Sequence, residues 1–129
     1  MIILDENFVE SQKQLLHSWS LSGRQIGFEI GKDGMKDDEI LPLLHQLRQP
    51  TFFTLDSDFF KPKLCHAKYC LVYMNVAQYE SAMFVRRTMR HKDFNTNAKR
   101  MGAVIRVSHS GLAVWHLHAQ NIMQFKWDT

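Results

Sequence analysis

Segments with the apolar pattern of a β-strand alternate along this chain with segments that have the pattern of an amphipathic helix. Runs at Ile2–Leu4 and at residues 26–30 and 51–55 have strand character, because apolar β-branched and aromatic residues favour strands. Between these runs, apolar side chains recur at the three- and four-residue intervals of a helix, at Leu15, Leu16, Trp19, Ile40, Leu41, Leu44 and Leu47. We therefore predict an α/β fold with a mostly parallel central sheet flanked by helices.

The second half of the chain continues this alternation and closes with a hairpin. Residues 70–76 have a strand pattern and residues 79–89 a helical one. Two more strand patterns, at residues 103–107 and 112–117, flank a Ser-His-Ser-Gly turn, which is typical of a hairpin. We expect this hairpin at the edge of the sheet. A chain of this length supports one compact core, so we predict a single domain over residues 1–129.

Acidic residues directly follow two of the predicted strands. Asp5 comes after Ile2–Leu4, and Asp56 comes after residues 51–55, with Asp58 two residues later. The carboxyl ends of parallel strands meet at one edge of a sheet, where ligands bind. Asp37 opens the second predicted helix and can reach the same edge. The sequence therefore predicts a cluster of carboxylates at the carboxyl edge.

Clustered carboxylates repel one another unless a cation neutralises them or some are protonated. Mg²⁺ and Mn²⁺ prefer such oxygen ligands, and they can activate water for attack on a phosphodiester. Each motif also has an ordinary structural explanation. Asp56-Ser57-Asp58 alone is typical of a solvated turn, and Asp37-Asp38 alone is typical of a helix N-cap. Their combination is what favours a metal site.

Three blocks of sequence resemble the signature blocks of the DUF5615 PIN-like proteins. They are Leu-Asp-Glu-Asn at residues 4–7, Gly-Met-Lys-Asp-Asp-Glu-Ile-Leu at 34–41 and Thr-Leu-Asp-Ser-Asp-Phe at 54–59. The second half of the chain matches that family only in outline. The resemblance implies a PIN-like fold and a ribonuclease centre with Mg²⁺ or Mn²⁺. By position, Asp5, Asp37 and Asp56 would be metal ligands and Asp58 the fourth acid.

The doubled aspartate in the second block leaves open whether Asp37 or Asp38 faces inward. The spacing to Ile40 favours Asp37. The resemblance further implies a toxin in a toxin–antitoxin pair, with a small antitoxin that covers the acids, and self-association through the helices is a further expectation. Two alternatives stay open: a catalytically degenerate module that binds RNA or protein, and a Mg²⁺-dependent phosphotransfer domain.

Charge is distributed unevenly along the chain. Residues 1–58 carry ten acids and five Lys or Arg, a balance of −5, whereas residues 59–129 carry three acids and eleven Lys or Arg, a balance of +8. This pattern suggests one face for cations and another for anions, unless the two halves intermix in the fold. As substrate-binding residues we predict Asn7, Arg86, Arg87 and Arg90, which would hold an RNA backbone. The basic residues that would suit the same phosphate-lined groove also include Lys92, Lys99, Arg100 and Arg106. Asn7 alternatively belongs to a turn or a helix N-cap.

The remaining sequence features favour the cytoplasm. The N-terminus lacks the basic start and long apolar run of a signal peptide, and no apolar run approaches the length of a membrane span. Cys65 and Cys70 are expected to be reduced thiols in that compartment, and they lack the further cysteines of a zinc site.

Overall fold

A computed structural model describes residues 1–127, and residues 128 and 129 of the expected domain lie outside the described residues. The strands are β1 (Ile2–Leu4), β2 (Gly23–Gln25), β3 (Thr51–Thr54), β4 (Cys70–Met74), β5 (Ala103–Ser108), β6 (Gly111–His116) and β7 (Met123–Phe125). The helices are α1 (Glu10–Ser18), α2 (Asp37–His45), α3 (Ser81–Arg90) and α4 (Asn97–Arg100). Three short 3-10 turns cover Ser57–Phe59, Pro62–Leu64 and Gln78–Glu80. No helix within residues 1–127 combines the length and the apolar character needed to cross a membrane.

The strands form one mixed sheet in the order β2-β1-β3-β4-β5-β6-β7. The first five strands in this order pair in parallel, and β6 and β7 add to them antiparallel. The predicted α/β class, the mostly parallel sheet and the hairpin near the edge are confirmed. This arrangement is consistent with a PIN-like fold.

Helices cover both faces of the sheet, and each face has its own apolar core. On one face, Ile40 and Leu44 of α2 pack against strand residues such as Phe52. On the other face, Leu16 of α1 and Phe84 of α3 belong to the second core. Strands β1, β3 and β4 are buried on both faces, which is why they appear in the sequence as continuous apolar runs rather than alternating ones.

The second strand does not lie at residues 26–30, where the sequence predicted it. Strand β2 covers Gly23–Gln25, and residues 26–30 contribute only an isolated bridge between Ile26 and Ile30. Gly27 has a φ of +87°, and its N–H donates to the carbonyl oxygen of Ile30. The chain therefore turns where the apolar pattern suggested extension, because glycine tolerates this left-handed conformation.

Helix α2 begins at Asp37, in the acidic stretch where the sequence predicted a helix start. Its N-cap residue is Lys36, so the interpretation of Asp37 or Asp38 as the N-cap is wrong. The backbone N–H of Lys36 donates to the Glu39 carboxylate at 3.1 Å, which is one half of a capping box. Three acids, Asp37, Asp38 and Glu39, occupy its first turn, where the helix dipole favours negative charge. Local capping chemistry thus brings Asp37 to the start of a helix at the carboxyl edge of the sheet.

Candidate functional site

Strand pairing brings Asp5 and Asp56 to the same edge of the sheet. Strands β1 and β3 are parallel neighbours, with Leu4 opposite Phe53. The backbone N–H of Asp5 continues this ladder by donating to the carbonyl oxygen of Phe53 at 3.1 Å. Asp5 therefore lies beside Thr54, which is the last residue of β3 and precedes Asp56 by two residues.

Thr54 joins these two segments through its side chain. Its hydroxyl donates to Oδ2 of Asp5 at 2.6 Å and accepts the backbone N–H of Asp56 at 3.0 Å. Thr54 is only 1% exposed, so water cannot easily replace either bond. Thr54 opens the third sequence block, at residues 54–59, but no role could be assigned to it from the sequence.

A cavity of about 370 Å³ opens at this edge. Asp5, Asp37 and Asp56 all line it, so three elements that are distant in sequence contribute acids to one space. Asp37 reaches the cavity from the start of α2. Asp38 does not line it and lines a smaller neighbouring cavity together with Asp37, Asp58 and Lys61. The structure therefore places Asp37 rather than Asp38 at the main cavity.

A tighter group of carboxylates lies within this edge. Among the described residues, one set of three possible metal-ligating side chains has ligand atoms within 4.8 Å of one another: Asp37, Asp56 and Asp58. All three are exposed. Asp37 and Asp56 of this set line the main cavity, whereas Asp58 lines the smaller neighbouring one. Asp5 lines the main cavity but lies outside this set. Thr54 and the backbone N–H of Asn7 bind its carboxylate oxygens.

The aspartates influence one another electrostatically. Burial raises the pKa of Asp37, and the negative charges of Asp56, Asp58 and Asp5 raise it further, whereas Lys61 opposes this effect. Asp58 is held by a local turn in which its backbone N–H donates to Oδ1 of Asp56 at 2.9 Å. The raised pKa means that ionising Asp37 is unfavourable beside these charges, a cost that a bound cation would relieve.

The buried side chain of Gln25 holds the loop that carries Asp5 through hydrogen bonds. Its Nε2 donates to the carbonyl oxygens of Asp5, Glu6 and Phe8 at 2.8 to 3.2 Å. Gln25 is 1% exposed, and its Oε1 has no hydrogen-bond partner in the described part of the chain. Glu6 ties the same loop to the segment before α2 by accepting the Gly34 N–H at 3.0 Å. No role for Gln25 was predicted from the sequence.

Asn7 lines the cavity in the turn after β1. Helix α1 has Val9 at its N-cap position, so the alternative interpretation of Asn7 as an N-cap is wrong and the turn interpretation is confirmed. The backbone N–H of Asn7 donates to Oδ1 of Asp5 at 3.4 Å. Asn7 is exposed, and its side chain is therefore accessible from the cavity.

The structure does not bring Arg86, Arg87 and Arg90 to this cavity. Helix α3 starts after β4 at the carboxyl edge and runs back toward the opposite edge. The guanidinium of Arg86 lies 3.7 Å from the ring centroid of Trp19, just beyond the far end of α1. The guanidinium of Arg87 lies 4.2 Å from the centroid of Trp127. Helix direction, which the composition of the second half does not reveal, separates these arginines from the acids.

The arrangement offers only oxygen ligands, which suit a hard divalent cation such as Mg²⁺ or Mn²⁺. Comparison of the chain with protein-family models finds no match, and comparisons with curated proteins and with solved structures find none either.

Proposed function

We propose that this protein is a divalent-metal-dependent ribonuclease whose active site is the acidic cavity. The observation that carries the proposal is the convergence of Asp37, Asp56 and Asp58 within 4.8 Å. Asp5 lines the main cavity together with Asp37 and Asp56. The resemblance of the three sequence blocks to PIN-like proteins supports the choice of RNA. A reduced cysteine pair and an RNA substrate both agree with action in the cytoplasm.

The residues present fit a metal ion of the magnesium class. Asp37, Asp56 and Asp58 would hold Mg²⁺ or Mn²⁺, because their carboxylates are close and exposed and form no ion pair within residues 1–127. When bound, such an ion lowers the pKa of a water ligand and stabilises charge on the phosphate. The raised pKa of Asp37 agrees with a site whose charge is balanced only when a cation is bound.

Asp5 has a different role in this proposal. Its Oδ2 already accepts the Thr54 hydroxyl, which fixes the orientation of the carboxylate toward the cavity. A carboxylate oriented in this way can accept a hydrogen bond from an attacking water and take up its proton. The exposed side chain of Asn7 would contact a non-bridging oxygen of the phosphodiester. These roles require no nucleophilic serine or cysteine.

An RNA cleavage assay with purified protein tests the proposal. Wild type, Asp37→Asn, Asp56→Asn and Asp38→Asn are compared with Mn²⁺ or Mg²⁺ and again with EDTA. Asp38 is the matched control, since it neighbours Asp37 in the same helical turn but does not line the main cavity. We expect metal-dependent cleavage by wild type and Asp38→Asn, and a loss of at least about a hundredfold in the other two variants.

Three outcomes would overturn the proposal. Cleavage that survives both Asp37→Asn and Asp56→Asn would place the chemistry elsewhere. RNA binding without cleavage under any metal condition would favour the degenerate binding module, and a stable phosphoryl group on an aspartate would favour the phosphotransfer domain.

The toxin role rests on the family resemblance and is proposed on that ground. An antitoxin would cover the acidic cavity and exclude RNA. Expression of the wild-type chain in a bacterial host should then arrest growth, whereas Asp56→Asn should not. Normal growth with soluble, RNA-cleaving wild-type protein in the cell would contradict the toxin role and leave the ribonuclease proposal intact.

A further inference from the structure

One row of side chains crosses the sheet close to its carboxyl edge. In this row Thr54 pairs with Tyr73, Tyr73 with Arg106, Arg106 with Ala113 and Ala113 with Gln124. Asp5 extends the row on the other side, since the preceding residues Leu4 and Phe53 are paired.

Residues in register across a sheet point to the same face, and the hydrogen bond between Asp5 and Thr54 shows this directly. The row lies on the face that α2 covers, because Ile3 and Phe52, two residues earlier in their strands, belong to the α2 core. Neighbouring strands are about 4.8 Å apart, so the row spans roughly 14 Å from Asp5 to Arg106.

Two aromatic rings stand between the acids and Arg106. Phe60, two residues after Asp58, and Tyr73 have ring centroids 6.5 Å apart with an interplanar angle of 36°. Both residues are half-buried, so part of each ring remains accessible. The guanidinium of Arg106 lies 5.1 Å from the centroid of Phe60. The acids, the rings and the guanidinium therefore follow one another along one face.

A basic cavity lies at the far end of the row. It has a volume of about 200 Å³, and Arg106 and Lys126 line it together with Ser108, Ser110 and Gln124. None of its lining residues in the described part of the chain is acidic. Within residues 1–127 no carboxylate forms an ion pair with Arg106 or Lys126. Two cations that have no anionic partner among these residues, beside hydroxyl and amide groups, suit a phosphate.

We propose that this row is the binding track for single-stranded RNA, with a backbone phosphate held by Arg106 and Lys126 and bases stacked on Tyr73 and Phe60. The inference rests on the proposed function, because it identifies how the substrate of the acidic cavity is held. Bases stack on aromatic rings irrespective of sequence, and the basic cavity supplies the charge complementarity for the backbone. The phosphodiester to be cut would lie a few nucleotides away, in the acidic cavity.

Charge and geometry together favour RNA over a protein partner. A stretched single strand carries phosphates along its backbone and flat bases beside them. The row offers a basic cavity for a phosphate and, next to it, two aromatic rings for bases. A rigid duplex would not allow its bases to reach Tyr73 and Phe60, since paired bases are stacked on one another. The track therefore predicts a preference for single strands.

Binding in EDTA tests the track without cleavage. Fluorescence anisotropy is measured with a labelled oligouridine of about 12 nucleotides, for wild type, Arg106→Gln, Tyr73→Leu and the matched control Arg48→Gln. Arg48 is exposed and lies before β3, at the opposite edge of the sheet. We expect Arg106→Gln to weaken binding about fivefold or more and to reduce the salt slope by about 0.7. Tyr73→Leu should weaken binding about tenfold, and Arg48→Gln should change it less than about twofold.

Lys126→Gln provides a second test, because Lys126 is exposed and its substitution leaves the sheet intact. Equal affinity for wild type, Arg106→Gln and Lys126→Gln would overturn the track, as would the absence of RNA binding by wild type. Tighter binding of a duplex than of the single strand would also overturn it.

The two proposals fail in different ways. Metal-dependent cleavage with unchanged affinity in Arg106→Gln and Lys126→Gln would leave the ribonuclease standing and remove the track. Binding that depends on Arg106 without any cleavage would retain the track and remove the ribonuclease.

Discussion

Thr54 and Asp5 are joined by a hydrogen bond in which the buried hydroxyl donates to Oδ2 of the carboxylate at 2.6 Å. The same hydroxyl accepts the backbone N–H of Asp56. One threonine on β3 thus orients the acid after β1 and the start of the loop that carries Asp56 and Asp58. Support of this kind around proposed metal ligands affects both stability and activity.

Replacing Thr54 by Val should damage the site without changing its shape. The Asp56 N–H loses its acceptor and Asp5 loses a donor, and a buried group without a partner costs about 1–3 kcal/mol. Urea denaturation should show this loss in the free energy of unfolding. RNA cleavage should fall by about 10–100-fold. Thr54→Ser keeps the hydroxyl and is the control. Equal stability of Thr54→Val and Thr54→Ser would contradict the importance of the hydroxyl.

Replacing Gln25 by Met should loosen the loop that carries Asp5. Three carbonyl oxygens, those of Asp5, Glu6 and Phe8, lose the Nε2 donor. We expect a loss of about 1–3 kcal/mol in the free energy of unfolding and faster hydrogen exchange of the Phe8 amide, which donates to the Asp5 carbonyl. Gln46→Met, on an exposed side chain, should change neither quantity. Unchanged exchange at Phe8 in Gln25→Met would show that the loop holds its conformation without this side chain.

Replacing Asp37 by Asn should raise stability when no divalent ion is present. The pKa of Asp37 in the folded protein lies above its ordinary value, so the ionised form opposes folding. This group's contribution to stability is present below the unfolded pKa and is lost as pH rises through the folded pKa. At neutral pH in EDTA, the Tm of Asp37→Asn should therefore exceed that of wild type, and the difference should vanish in acid.

The matched control for this prediction is Asp38→Asn, which removes the same charge from the same helical turn. Its Tm should not rise. Added Mn²⁺ should raise the Tm of wild type and of Asp38→Asn, because a ligand that binds the folded state stabilises it, but not that of Asp37→Asn. A Mn²⁺-induced shift that persists in Asp37→Asn would place the ion elsewhere.

The two cysteines should differ in reactivity. Both are free thiols in the structure. Complete burial raises the pKa of Cys70 to about 12, whereas Cys65 is partly exposed and its pKa is raised by partial burial. Since the thiolate is the reactive form, a thiol reagent should modify Cys65 slowly and Cys70 only after denaturation. Rapid labelling of Cys70 in the native protein would show that strand β4 opens readily.

Much of the fold could be predicted from local sequence patterns. Strands β1, β3 and β4 are buried on both faces, so each appears as an apolar run that needs no knowledge of its neighbours. Helix α2 could be predicted to begin at Asp37, since its capping residues lie within one turn. The position of strand β2 could not be predicted. The apolar pattern suggested a strand at residues 26–30, but the positive φ of Gly27 and its hydrogen bond to Ile30 make the chain turn there. Strand β7 could not be predicted either, since two of its three residues are exposed.

The candidate site likewise contains residues that could be predicted from local sequence and residues that could not. Asp5 and Asp56 could be placed at the carboxyl edge from sequence, because each directly follows an apolar strand. The contributions of Thr54 and Gln25 could not be predicted, since each depends on which strand pairs with which and in what register. Arg106 could be named only as one of several basic residues, because its place in the row depends on the pairing of β4 with β5.

The substrate-binding surface shows the difference most clearly. Sequence identified a basic second half, but a run of residues does not reveal the direction in which a helix leaves its strand. Helix α3 carries Arg86 away from the acids and onto Trp19. Strand register instead places Arg106 in the row that begins at Asp5. Local patterns thus set the elements and the acids at their ends, whereas contacts between residues distant in the chain set which charges share a surface.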